Sequence, residues 1–495
     1  MQEKTKWPQL GTLITVFFFW GFVAASNDIL IPVFKEKLQL EQWQSQLISV
    51  AFYFAYTIGA LLYYFISKAI GEDILNRIGY KNGIALGLLI STVGALLFYP
   101  AAQTASFAFL LTGLFVIGLG YSLQQTAANP LAVIMGDPKT GSQRLSLAGG
   151  VNNFGTTIGP VLVSIAIFGS VTSDTTKIAD IGAVKTPYLI LGGLFLVVAL
   201  IFKFSSIPNK INLGEDDTSR VATPTDISQP LAVPSRKSSL SYGQLSLGMV
   251  AIFIYVGVEV STASNLPDFM KQHVRTPDGS PFPTESIAPF VSLYWASLMM
   301  GRWTSSVGAF NFSNTTKGIL RFVMPYLAFA VFLIINKLAN HDITPFYIYS
   351  VIIIALIVGD FLSKGSPARQ LLIFSIFGMI ALLIGIFTDG LTAVYAFTSV
   401  GLFCSTLWPC IYTLAIAGLG KHTSQGSNFL IMMIMGGGIV SLIQGVLAED
   451  SLLGIQWSYL VGVACFAYLA FYAVRAQTIL KSQGIDYDVT VPAGH

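Results

Sequence analysis

Two stretches of the chain decide its fold: residues 139–155, KTGSQRLSLAGGVNNFG, and residues 421–437, KHTSQGSNFLIMMIMGG. Each opens on Lys-x-x-Ser-Gln, as Lys139, Ser142 and Gln143 in one copy and Lys421, Ser424 and Gln425 in the other. Each then places a glycine twelve residues past the glutamine, Gly155 and Gly437. Each follows an apolar run that carries a proline, Asn129-Pro130 in the first and Trp408-Pro409 in the second. One unit is written twice in the same direction. Parallel repeats of this kind mark transporters made of two helical halves with the substrate site near the midplane between them.

The surroundings of the repeats are those of a membrane protein. Of 495 residues, 54% are hydrophobic and 10% charged, with a mean hydropathy of +0.69, whereas soluble domains carry about 25% charged residues. A soluble globular fold is excluded. The net charge of +3 is too small for a nucleic-acid-binding surface. Runs of roughly 20 apolar residues, enough to cross a bilayer, recur near 10–34, 46–68, 83–102, 107–135, 145–169 and 187–205. The first is a retained helix, since no small-residue cleavage site follows it.

A polar break at 206–241, with Glu215, Asp216, Asp217 and several serines, threonines and prolines, reads as an interdomain linker. Further runs follow near 244–267, 287–310, 318–337, 344–362, 369–388, 391–419, 427–448 and 456–476. The expected architecture is an all-α polytopic membrane protein of about 14 transmembrane segments in two pseudo-symmetric bundles: twelve core helices plus a hairpin inserted at about 315–363. Inserting helices in a pair keeps every later segment on its original side. The division is 1–205 for the first bundle, 206–241 for a cytoplasmic linker, 242–480 for the second bundle and 481–495 for a cytoplasmic tail. With both termini inside, roughly three quarters of the 27 basic residues fall on the cytoplasmic side.

Charges within a bilayer cost about 2.5 to 3.5 kcal/mol each on insertion scales, so acids inside apolar runs require a reason. Asp28 lies in the first run and Glu259 in the seventh. Asp28 reads as a cation-coupling carboxylate, loaded and unloaded as access alternates, or as an acid that only hydrogen-bonds near the outer mouth of its helix. Glu259 reads as an acceptor for substrate hydroxyls or as a buried structural acceptor. Asn27, Gln125, Asn129, Asn152 and Asn153 add amides, which both donate and accept and so suit a polyhydroxylated ligand; interhelical hydrogen bonding is their other use. Gln125 and Asn129, four apart, share a helix face.

Tyr294 and Trp408 are candidates to stack on a sugar ring, against the alternative of core packing or interfacial anchoring. Asp73, Arg77 and Lys81 after the second run suggest a charged gating contact or a positive-inside anchor, and Arg302 is grouped with the gating charges. Gly149-Gly150 and Gly436-Gly437-Gly438 lie in apolar runs, where small residues permit close helix packing; they lack the strand and lysine of a phosphate-cradling loop.

The runs Asn27-Asp28-Ile29-Leu30, Ala51-Phe52-Tyr53-Phe54, Gln125-Thr126-Ala127-Ala128-Asn129-Pro130, Asn152-Asn153-Phe154-Gly155, Tyr255 to Ser261, Tyr294-Trp295, Gly301-Arg302 and Gly436 to Val440 together resemble the fucose, galactose and glucose symporters of the major facilitator superfamily. The resemblance implies a major facilitator fold, alternating access by rocking of two bundles, and cation-driven uptake of a monosaccharide, with a proton or sodium as the coupling ion and no cofactor. It implies proton coupling at Asp28. In the fucose permeases a helix-four acid also takes part where this chain has Gln125, and a glutamine stands where this chain has Gly149. Glu259 points to the glucose and galactose branch.

The expected function is uptake of a hexose such as glucose, galactose or mannose by a monomeric protein of a bacterial inner membrane. An exporter or facilitator of another small solute, a drug or a lipid, is the alternative on the same fold. An enzyme is not expected: His273, His341, His422 and His495 lie in loops or at the terminus, leaving no histidine cluster for catalysis within the helices. No metal site is expected from Cys404, Cys410 and Cys465, which fall in apolar runs as packing residues.

Overall fold

A computed structural model describes residues 5–37, 42–104, 106–168, 185–209, 238–276, 279–280, 282–283 and 286–487; side chains are described except at 24–37, 42–50, 160–161, 163–168 and 185–187. Most of the expected linker and of the tail therefore lies outside the described residues.

Before the linker come α1 (Trp7–Lys37), α2 (Gln42–Ile70), a short α3 (Ile74–Ile78), α4 (Tyr80–Leu96) continued by α5 (Phe98–Thr104), α6 (Phe107–Ile134), α7 (Gly141–Phe168) and α8 (Lys185–Phe204). After it come α9 (Gly243–His273), α10 (Ala288–Ser306), α11 (Asn314–Leu338), α12 (Tyr349–Ser363), α13 (Pro367–Phe387), α14 (Gly390–Cys404), α15 (Leu407–Ile416), α16 (Thr423–Met432), α17 (Gly436–Leu447), α18 (Gly454–Ser458) and α19 (Leu460–Ser482). Every expected apolar run falls on a helix. Among the described residues, nine stretches are long and apolar enough to cross a membrane by length and composition, and Trp7–Val23 and Tyr188–Phe204 are shorter apolar helices. Large apolar side chains such as Phe204, Phe387 and Leu442 stand exposed, as an apolar solvent allows and water does not.

The packing repeats with the sequence. In the first half α1 lies on α7, α2 on α6, and α4 on both α6 and α8. In the second, α9 lies on α17, α10 on α14, and α13 on both α14 and α19. The helices α11 and α12 have no partner in this scheme: α11 packs on α10 and α12 on α13. The turns leading into α11 and out of α12 belong to the end of the molecule that also holds Lys68, Lys81, Lys139, Lys364 and Lys421, called the basic end below, while the turn between them sets Phe346 against Phe290 at the start of α10. The two halves meet through α7 against α10 and through α2 and α6 against α16.

The glycine of each repeat makes a helix crossing possible. A Cβ on Gly155 would lie 2.5 Å from the carbonyl oxygen of Phe18 in α1. In the second half the residue pressed on the first helix is Gly436, where a Cβ would lie 2.8 Å from Phe253 Cα and nearer still to its carbonyl; Gly437 faces Val256, Val260 and Tyr53 instead. A turn of 3-10 helix at Met433–Met435, between α16 and α17, winds three residues per turn instead of 3.6. That overwinding moves the crossing one residue earlier than sequence spacing predicts.

The prolines of the repeats also act alike. Proline has no N–H and frees the carbonyl four residues before it, and a freed buried carbonyl needs a donor. For Pro130 that carbonyl is Thr126, which accepts from Ser427 Oγ at 2.8 Å across the two halves. For Pro409 it is Ser405, which accepts from Arg302 Nε at 3.0 Å. Opposite these, Arg144 is wholly buried and donates to the carbonyls of Ala132 and Val133, satisfying the orphan end of α6 and complementing its dipole.

Candidate functional site

Glu259, at the middle of α9, is the centre of a polar cluster. One carboxylate oxygen accepts from Tyr255 Oη, one turn earlier on the same helix. Tyr255 Oη in turn accepts from Arg302 Nη2 at 3.5 Å. From α10, Tyr294 Oη donates to the Glu259 main-chain carbonyl at 2.8 Å. Tyr255 lies beside Trp408, ring centroids 6.3 Å apart, and Trp408 stacks on Tyr412. Four residues singled out from the sequence, Glu259, Tyr294, Arg302 and Trp408, thus stand together around Tyr255. Tyr294 is fully buried and Trp408 partly exposed, so of the two Trp408 is the one placed to offer a ring face.

Arg302 joins the halves. Its Nη1 donates to Asn153 Oδ1 and, at 3.4 Å, to the Gly149 carbonyl, both in α7. Beside it Trp303 Nε1 donates to the Gly150 carbonyl at 3.2 Å. Gly149 and Gly150 vacate the space these chains fill: Cβ atoms there would come within 3.1 Å of Arg302 Cδ and 2.7 Å of Trp303 Cδ1. A side chain at position 149 would press on this arginine.

The first half holds a separate amide site. Gln125 Nε2 donates to Tyr56 Oη at 3.0 Å. Asn129 is buried, and its Nδ2 has no hydrogen-bond partner among the described residues. Asn152 donates to the Phe17 carbonyl at 2.9 Å, tying α7 to α1, while its neighbour Asn153 reaches the second half. Asn27 and Asp28 lie on α1, and their side chains are outside the described residues. Asp73 caps α3 by accepting from the Leu75 amide at 2.9 Å and also accepts from Tyr63 Oη; Arg77 is exposed. Arg302 is the member of the gating group that spans the two halves.

Sequence reasoning singled out Asn153 only alongside Asn152 and passed over Tyr255, Tyr56 and Ser427. Tyr255 carried a signal, since it lies four residues before Glu259, on its helix face. Asn153 and Asn152 are adjacent and about 100° apart around the helix, a difference visible only once α1 and α10 have been placed. Among the described residues no group of three histidine, cysteine, aspartate or glutamate side chains is arranged to hold a metal.

Two repeated helical halves with a buried polar cluster between them define a multi-pass membrane transporter. The profile of the Major Facilitator Superfamily matches residues 10–359, and the chain belongs to that superfamily, in its fucose, galactose and glucose symporter family. The glucose/galactose transporter of Brucella abortus is 34% identical over 465 residues, covering 94% of this chain and 93% of that protein. The putative glucose/galactose transporter of Helicobacter pylori is 30% identical over 487 residues, covering 96% and 98%. The crystal structure of the Major Facilitator Superfamily transporter FucP in the outward conformation aligns with a TM-score of 0.69 at 25% identity, covering 94% of this chain and 98% of that one. The family is one of transporters, not enzymes.

Proposed function

We propose that the protein takes up a monosaccharide, a hexose such as glucose, galactose or mannose, together with a proton or sodium ion by alternating access. The observation that carries this reading is the cluster at Glu259. A membrane carboxylate with one oxygen engaged by Tyr255 has acceptor capacity left for a hydroxyl, and the partly exposed ring of Trp408 stands beside it. Gln125 and Asn129 supply amides from the facing half. The likeness to the glucose/galactose transporter of Brucella abortus and the putative glucose/galactose transporter of Helicobacter pylori supports the substrate class. Asp28 is the coupling carboxylate in this reading, and Asp73, Arg77 and Arg302 the gating charges.

The proposal includes the topology. Fourteen helical runs, twelve in the core and α11–α12 as an added pair, divide at 206–241 into bundles 1–205 and 242–480. The excess of lysine and arginine on the basic end supports placing it, both termini and the tail 481–495 in the cytoplasm. The protein then acts as a monomer in the plasma membrane.

Reconstituted in proteoliposomes, the protein is expected to accumulate a labelled hexose under an imposed proton or sodium gradient. Asp28→Asn is expected to abolish accumulation while leaving sugar counterflow. Absence of gradient-dependent uptake for all three hexoses overturns the reading.

A further inference from the structure

Among the described residues, the side chains that hold the halves together cluster around and below the midplane toward the basic end. Besides Arg302 and Trp303 they include Thr57 Oγ1 to the Met432 carbonyl (3.3 Å), Ser427 to Thr126, Asn428 Nδ2 to the Ala60 carbonyl (2.9 Å), Gln143 Nε2 to the Gly365 carbonyl (3.0 Å) and Asn153 Nδ2 to the Trp295 carbonyl (3.5 Å). Only one of these donors is permanently charged. Arg302 also touches, through a single hydroxyl, the half-buried carboxylate of Glu259; the buried carboxylate Asp360 has its own arginine, Arg321, at 3.5 Å.

We propose that Glu259 is an ion-coupling carboxylate, acting through Tyr255 on the grip that Arg302 keeps on α7. The inference rests on the transport reading and adds a second coupling group to it. In the observed arrangement Arg302 donates to Tyr255 Oη, and Tyr255 Oη donates to Glu259, so the hydroxyl relays attraction between the two charges. A proton on Glu259 removes the negative end of that line. The hydroxyl no longer has a carboxylate to serve, and the guanidinium is left with the neutral acceptors Asn153 Oδ1 and the carbonyls of Gly149 and Ser405, two of which belong to the other half. The proton moves from water to the carboxylate and back; no covalent bond in the protein changes. Protonation therefore tightens the contact between halves, and deprotonation draws Arg302 back toward Glu259 and loosens it. One element is biased by both events, which is what coupling requires.

The charged and titratable groups facing Glu259 are few. Among the described residues they are Tyr255 on its own helix, Arg302 and Tyr294 on α10 and Cys404 on α14. From α17, Gly436, Gly437 and Val440 lie against α9, α15 contributes Trp408 beside Tyr255, and α19, also packed on α9, brings Cys465 near Cys404. Arg302 is thus the group among them whose position answers to the charge on Glu259.

The test measures the separation of the halves at the basic end, without sugar. Spin labels on cysteines introduced by Lys139→Cys and Lys421→Cys report it in the full-length, liposome-reconstituted protein, in an Asp28→Asn background that removes the coupling acid of the transport reading. Between about pH 8 and about pH 5.5 the closed-to-open ratio is expected to rise about tenfold for each pKa unit by which the two conformations differ. Glu259→Gln is expected to be closed and flat with pH, Arg302→Gln open and flat. Tyr255→Phe, which keeps both charges and removes the relay, is expected to reduce the pH response. A Glu259→Gln protein that retains its parent's pH response overturns the proposal, as does a parent whose distances ignore pH. If distances respond as expected and no hexose is carried, the transport reading falls and the coupling at Glu259 stands.

Discussion

Ser427→Ala removes one hydroxyl and nothing else, and its effect is computable from the arrangement at Pro130. Ser427 Oγ donates to the Thr126 carbonyl in the other half and accepts from Tyr412 Oη in its own. The Thr126 carbonyl has no helical donor because of the proline, so no replacement bond lies within α6. Side-chain hydrogen bonds inside membrane proteins average about 0.6 kcal/mol and reach about 1.7; a carbonyl with no other donor belongs at the upper end. Since the bond crosses the halves, its loss penalises only the conformation in which they touch at the basic end. The closed-to-open ratio should fall by about threefold at 0.6 kcal/mol and about eighteenfold at 1.7 kcal/mol. The label pair at positions 139 and 421 reads this shift directly. Tyr412→Phe, which removes a bond within one half, should leave it unchanged. Pro130→Ala restores an N–H to α6, so in that background Ser427→Ala should do much less. An equal effect of Ser427→Ala with and without Pro130 refutes the argument that the freed carbonyl is what the serine serves.

Gly436→Ala should destabilise the fold by about 1 to 3 kcal/mol through overpacking against Phe253, seen as a lower melting temperature in detergent, whereas Gly438→Ala, with nothing within 4 Å of its Cβ position, should be silent. Arg321→Met leaves Asp360 buried without its counter-ion and should cost about 3 to 5 kcal/mol; adding Asp360→Leu should recover most of that loss in the same melting assay. Asn153→Ala should move the label distances toward the open form, while Asn152→Ala should lower the melting temperature and leave the distances alone, because one amide spans the halves and the other joins α7 to α1.

The helices were legible because the bilayer imposes a length and a polarity on each crossing, and α11–α12 were visible as surplus apolar runs. Glu259 was legible for the same reason, as an acid where charge is costly. Contacts between helices were not. Which of Asn152 and Asn153 faces the other half depends on the rotation of α7 against α10, to which the pattern of apolar residues is nearly blind when both faces are buried. The shift from Gly437 to Gly436 depends on a 3-10 turn at Met433–Met435 that no residue there announces. The prolines were seen as repeat markers, yet the partners of the carbonyls they free come from elsewhere: Ser427 follows one proline by about 300 positions in the chain and Arg302 precedes the other by about 100.

Cys404, Cys410 and Cys465 are all buried at 8% exposure or less. Thiol reagents arriving from water should therefore react with an introduced surface cysteine long before any native one. Dyes, cross-linkers and affinity handles can be attached one site at a time to the natural chain, with no cysteine-free background to build and no doubt about whether removing three packing residues has altered the protein being watched.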